Sequence, residues 1–364
     1  MSQPIRSRHE KKPIEPYPDV RTAFMLTLVA MLCAALVGIF FIGLGTLAAV
    51  GIGQAIGVGA IATLAARRVP EPQAERLGLR ALEWRALPTV LCLVPAILLA
   101  SELDNIAVDW AGQAADRAGH EAVEAQPPLD ASAPGLERQA EAAASTPDAG
   151  APEAEDEAEE AQANDEVTSD AIPDESSGPA DDSPAPLIDP DDSWSVLQAF
   201  VIFAGISPVV EEFLFRGVIQ QGLIARLGLL RGVSLVALLW TLLRPAPVDD
   251  FVRFFAAAGA SFALGWALGL VRVATGSILG SIVLASLWGA VGVGSVALEG
   301  RLDLPGLNVP GSHLPWNVAI ASAAIVAWAG WSLYREAAER FMREGRDPDL
   351  AWSPPSKTSA DPDS

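Results

Sequence analysis

The sequence predicts an all-α, polytopic transmembrane helix bundle of about eight spans, and three observations carry that expectation. Apolar runs recur along the chain, most of them near the roughly 20 residues that a helix needs to cross a hydrocarbon core. The runs are too long and continuous for barrel strands, and backbone groups in lipid must be satisfied within their own segment. Finally, the formal net charge of −21, odd for a chain that is 51% hydrophobic, sits in one stretch. Between Glu102 and Asp192 there are 26 acidic residues against Arg117 and Arg138, and the rest of the chain sums to +3. The acidity therefore describes one segment and is no argument for a basic partner of the whole protein.

Residues 1–21 form a basic tail containing "RSRHEKK", read as cytoplasmic. Residues 22–66 carry no charge and run about twice the length of one crossing, so they read as two spans joined by a tight turn. A cleavable signal peptide is the competing reading of the first. That run is too long, lacks a small-residue cleavage pattern before a polar chain, and is followed at once by more apolar sequence. Gly53 and Gly57 in the second span form a GxxxG match, which lets two helix backbones approach. A third span at 86–101 contains Pro88 and Pro95 and completes an N-terminal group of helices, 22–101.

Residues 102–192 form the acidic extracytoplasmic insert. A short helix is expected at 103–124, and disorder from 125 to 192, where Ala, Pro, Ser and charge dominate and too little apolar surface is available to offset ordering entropy. A solvated spacer is the plain reading; a tether for divalent cations or a basic partner is the sharper one. The core region, 193–334, holds spans at 194–215, 231–243, 254–271, 278–298 and 317–334, of which the second is short. The tail 335–364 begins as a basic helix suited to anionic headgroups.

With the N-terminus cytoplasmic, 19 basic residues fall on that side and five on the other: Arg117, Arg138, Arg244, Arg253 and Arg301. That split fits the positive-inside rule, puts both termini in the cytoplasm and predicts a multi-pass protein of the cell membrane with membrane lipid as its partner. Cys33 and Cys92 lie in apolar spans as small hydrophobes. No phosphate-cradling glycine loop and no basic stripe with interleaved aromatics is present, so no nucleic-acid partner is expected.

One stretch breaks the apolar pattern: "PVVEEFLFRG", residues 208–217. An ionisable group at membrane depth costs at least a few kcal/mol and usually faces the bundle interior with a partner. Glu212 and Arg216 stand four apart, the spacing at which helix side chains pair. Glu211 is rotated from Glu212 by about 100° and faces a different neighbour. One glutamate reads as a locked ion pair and the other as available for chemistry or another contact. The bland alternative is a charge cluster at the mouth of a helix.

"EEFLFRG" resembles the EExxxR motif of the CPBP family, the intramembrane metalloproteases that include CAAX prenyl endopeptidases and bacteriocin-processing proteins. "VSLVALLWTLLRP" at 233–245 and "LGLVRVATGSILGSIVLASLWGAVG" at 268–292 are similar to that family's next two blocks, and "ERLGLRALEWRALP" at 75–88 to its approach segment. The resemblance covers 75–101 and 194–295. It implies a CAAX-protease-like bundle in which the first glutamate activates a water for attack on a peptide bond. Two histidines and an asparagine complete a polar site often described as zinc-dependent. Carried over, Glu211 is the base, with Glu212 and Arg216 as its support.

The later positions depart from the family. Its FxxxH falls on Trp240 to Arg244, and its HxxxN on Ala285 to Gly289. The histidines present are His9, His120 and His313. "HLPWN" at 313–317 spells HxxxN, but 28 residues from the aligned position, which reads as coincidence against the sharper alternative of a relocated ligand. No cofactor is therefore expected, and Arg244, which cannot be a neutral metal ligand, is expected to line the site and pair with Glu211 across helices. The leading functional expectation is a weakly active or non-catalytic member, a pseudoenzyme, that binds membrane-embedded or prenylated peptides. The alternative is an active endopeptidase using Glu211 with an arginine as oxyanion partner. A small-solute transporter is a third, disfavoured because no second half repeats the first.

Overall fold

The computed structural model describes residues 15–124, 186–244, 250–309 and 311–345. Among these residues the regular structure is helical, with one isolated bridge between Pro305 and Val309.

Helix α1, Val20–Phe40, opens at Asp19, whose carboxylate accepts the Thr22 N–H at 2.8 Å. The chain turns over residues 41–45, ending on Gly45 at φ 100°, and returns as α2, Thr46–Ala66. At Gly53 a Cβ would lie 2.5 Å from the Ala34 carbonyl oxygen, and at Gly57 the same distance from the Ala34 backbone. The GxxxG pair is thus the contact between α1 and α2, as the spacing predicts. After a connecting helix α3, Gln73–Leu77, the third span comprises α4, Leu87–Leu91, a break over 92–95, and α5, Ala96–Glu124. Pro95 supplies no N–H to this break, and the indole of Trp288 donates to the Leu93 and Val94 carbonyls, 3.2 Å each. The helix expected at 103–124 is present as the continuation of that span.

Helix α6, Ser193–Leu227, is capped by Asp192, which accepts the N–H groups of Trp194 and Ser195. It runs well past the expected end at residue 215, because the charges of "EEFLFR" are paired inside the bundle instead of marking a water-exposed mouth. Helix α7, Leu229–Thr241, has 13 residues and rises about 20 Å, too little for a crossing. Helices α8, Phe251–Thr275, α9, Ile278–Ala297, and α10, Trp316–Glu344, complete the bundle. Seven described segments are long and apolar enough to cross a membrane: α1, α2, Trp84–Gln113, α6, α8, α9 and α10. The eighth expected span is the short α7.

Leu214, Phe215 and Ile219 of α6, Val233, Val236 and Trp240 of α7, Leu268 and Val271 of α8, and Leu284 and Trp288 of α9 form one buried cluster. Outward faces stay apolar: Phe40 is 83% exposed and Trp328 59%, as suits helices solvated by lipid. Both described ends gather at one end of the bundle. Gln221 donates to the Tyr17 carbonyl and Arg226 to that of Pro16, while Gly345 lines the same recess as Gln221. Residues 125–185 of the expected disordered segment and most of the basic tail lie outside the described residues. Residues 186–192, assigned to that segment, are described and lead into the α6 cap.

Candidate functional site

The polar centre is built on the middle of α6. About 27 Å of helical rise separates Ser193 from Glu211, and about 24 Å separates Glu211 from Leu227. Two π-helical turns, Phe200–Ile206 and Phe213–Ile219, bracket the ordinary helical stretch Ser207–Glu212. Such turns insert a surplus residue, widen the helix and recur at functional sites. Glu211, Glu212, Arg216 and Gln220 are all buried, Arg216 completely.

The two glutamates face different partners, as their rotation requires. Glu212 Oε1 lies 2.8 Å from Arg216 Nη1, and Arg216 Nη2 donates to the Gly265 carbonyl of α8 at 2.9 Å. The guanidinium stands 5.1 Å from the Trp240 ring centroid. Gly265 permits this approach, since a Cβ there would meet the Trp240 ring at 2.9 Å. Glu211 turns toward α7. Its Oε2 accepts the Trp240 indole N–H at 2.9 Å and is also bonded to Arg244 Nη2. Arg244 stacks 4.0 Å above the same indole. The expected pairing of Arg244 with Glu211 across helices is therefore present. Counting basic residues by side placed Arg244 beyond the membrane; because α7 is so short, it ends beside Glu211 instead, a third exposed.

Several buried polar atoms around this centre have no hydrogen-bond partner among the described residues: Glu212 Oε2, Arg216 Nε and Gln220 Oε1. Gln220 Nε2 donates to the Gly269 carbonyl at 2.8 Å, so α6 takes two carbonyls of α8 one turn apart. The Trp240 indole bond to Glu211, Gln220 and the two glycine carbonyls escaped the sequence reading. The signal was there: Trp240 precedes Arg244 by four residues, and Gln220 follows Arg216 by four.

The altered motif positions have physical accounts. At Gly289 an added Cβ would collide with the Phe203 carbonyl oxygen, so α9 lies against the first π-helical turn with no room for an asparagine. Ala285 packs against the core cluster. His313 is elsewhere: Nδ1 lies 2.8 Å from Glu102 Oε1 and Nε2 2.8 Å from Asp109 Oδ2. Arg301, in the same loop, pairs with Asp191 just ahead of α6. That is the end of α6 about 27 Å from Glu211, so the HLPWN sequence makes no part of this site. Its imidazole is pushed above the ordinary histidine range, first by Asp109 and then by Glu102.

The donor set does not fit zinc. Each carboxylate is in contact with a guanidinium, which repels a dication, and among the described residues no three His, Cys, Asp or Glu side chains are grouped to hold a metal.

A membrane-type helical bundle with a buried acid pair on one helix, closed by arginines from its own and a neighbouring helix, defines the class. Residues 193–291 match the family described as Type II CAAX prenyl endopeptidase Rce1-like. The match covers α6 to α9 up to Val291, includes both glutamates, and supports membership of the CPBP/CAAX protease family. The described residues, helical in their regular structure and with seven candidate spans, are consistent with an all-α polytopic bundle of the CAAX-protease type. No curated protein and no solved structure matches the chain.

Proposed function

We propose that this chain is a non-catalytic or weakly active member of the CAAX-protease family that binds membrane-embedded or prenylated peptides. The observation that carries the reading is Arg244. It stands where the family's histidine would be and is bonded to the glutamate that would activate water. The Glu211 oxygen that takes the guanidinium and the indole N–H is occupied, where activating a water would need it free. With Gly289 closed against Phe203, the third polar position is lost to packing. What persists is an apolar bundle with a polar centre at mid-helix, suited to holding a peptide within the membrane.

Hydrolysis is the second reading, favoured by the partial exposure of Arg244, which leaves a route for water to the pair. There Glu211 accepts the water proton and Arg244 stabilises the oxyanion. Purified full-length protein in lipid nanodiscs, incubated with fluorogenic prenylated and unprenylated peptides, separates the two. Binding without cleavage above the Glu211→Gln background is expected. Turnover abolished by that substitution would overturn the leading reading in favour of the second.

A further inference from the structure

A recess of about 140 Å³ opens at the end of the bundle where both described chain ends gather. This is far more than the roughly 10–15 Å³ that admits one water. Five arginines line it, Arg76, Arg80, Arg216, Arg272 and Arg340, against two acids, Glu75 and Glu344. Arg216 is taken up by Glu212 and the Gly265 carbonyl. Arg340 Nε reaches Glu344 at 3.1 Å and Nη1 the Ala274 carbonyl at 3.4 Å. Glu75 comes no closer than 4.0 Å to Arg80.

Arg272 is the centre of this arrangement. Nη2 donates to the Arg76 carbonyl at 3.0 Å, and among the described residues its buried Nε has no partner and no carboxylate lies within salt-bridge distance. Two glycines keep the guanidiniums in place. Gly78, at φ 72°, lies directly against that of Arg272, and Gly276, at φ 66°, against that of Arg340. Any side chain at either position would occupy the volume of the guanidinium. Basic residues that serve only to set topology extend into water or headgroups on their long stems. Here they are folded inward around a recess, close enough to repel one another unless an anion intervenes.

We infer that this recess binds a phosphate group, with Arg272 and Arg340 as its principal donors. Planar guanidiniums match phosphate oxygens with paired N–H donors. Leaving aside the Arg216 and Glu212 pair, arginines outnumber glutamates along the lining, which suits a phosphomonoester or inorganic phosphate, about −1.5 to −2 at neutral pH. The source is either the headgroup of a phosphomonoester lipid such as phosphatidic acid or a phosphate free in solution.

The test uses full-length protein and reads the thermal midpoint, which a ligand of the folded state raises as its concentration passes Kd. One arm titrates inorganic phosphate in neutral detergent at constant ionic strength, with chloride as control. The other compares nanodiscs containing phosphatidic acid, phosphatidylglycerol or phosphatidylcholine alone. A saturable rise with inorganic phosphate indicates a free anion; a rise confined to phosphatidic acid indicates the lipid. In either arm Arg272→Gln and Arg340→Gln should each weaken binding about tenfold or more. No rise for the unsubstituted protein with any phosphate source overturns the proposal, whatever the substituted proteins do. So does a rise that both substitutions leave intact. Neither readout involves peptide cleavage, so the result is independent of whether the acid pair is hydrolytic.

Discussion

Arg244 is bonded to the same carboxylate oxygen of Glu211 that receives the Trp240 indole N–H, and it stacks on that indole as well. Removing it takes away a charge-assisted hydrogen bond and a cation over a ring while leaving the glutamate buried. Arg244→Ala should therefore destabilise the protein by about 1–3 kcal/mol, read as a lower melting midpoint in detergent. An unchanged midpoint would show that the pair contributes nothing structural.

The Glu212 and Arg216 pair should be more sensitive, because both side chains are excluded from solvent. Arg216→Ala leaves an uncompensated carboxylate and should cost about 3–5 kcal/mol. Replacing both together, Glu212→Gln with Arg216→Met, should cost less than Arg216→Ala alone. Chemical denaturation of the three proteins checks the order, and a double variant worse than the single one would contradict it.

Gly289 tests why the family's asparagine position is empty. Gly289→Ala should already overpack the contact with Phe203, at about 1–3 kcal/mol. Gly289→Asn should be worse. A Gly289→Asn protein as stable as the parent would mean that α9 stands farther from α6 than described.

His313, in the loop between α9 and α10, predicts a pH dependence. Its folded pKa lies above the ordinary histidine value of about 6.5, through Asp109 and Glu102. Its contribution is therefore complete below that value and is lost as pH rises through the elevated one. Hydrogen exchange in the loop joining α9 to α10, corrected for intrinsic rates, should show falling protection from pH 6 to pH 9. His313→Gln should flatten the profile. Protection that increases with pH would contradict the bridge.

Much of this was legible because lipid imposes simple rules. Apolar length fixed the number of elements to within the short α7, and the spacing of Gly53 and Gly57 anticipated the α1 and α2 contact. The rotation between Glu211 and Glu212 assigns them separate partners, and the Trp240 to Arg244 alignment points to the inter-helix pair. What escaped depends on depth and on backbone. α7 ends beside Glu211 because of how α6 and α7 are stacked, which hydropathy does not encode. The Gly265 and Gly269 carbonyls are main-chain groups with no side-chain signature. The inward fold of Arg272 and Arg340 depends on two left-handed glycines, which in sequence look like ordinary helix ends.

The π-helical turn at Phe213–Ile219 gives α6 a property that substitutions do not probe. Its surplus residue is absorbed within the widened turn, so the helix beyond keeps the phase of a regular one. Deleting Val218 would remove that surplus and let the helix resume ordinary pitch with Gln220 and Gln221 still facing Gly269 and Tyr17, whereas a deletion in the ordinary stretch Ser207–Glu212 would swing everything beyond it by about 100°. The widened turn is therefore where this helix absorbs a change of length, and deletions outside it are the lesions to which this membrane-type core is most exposed.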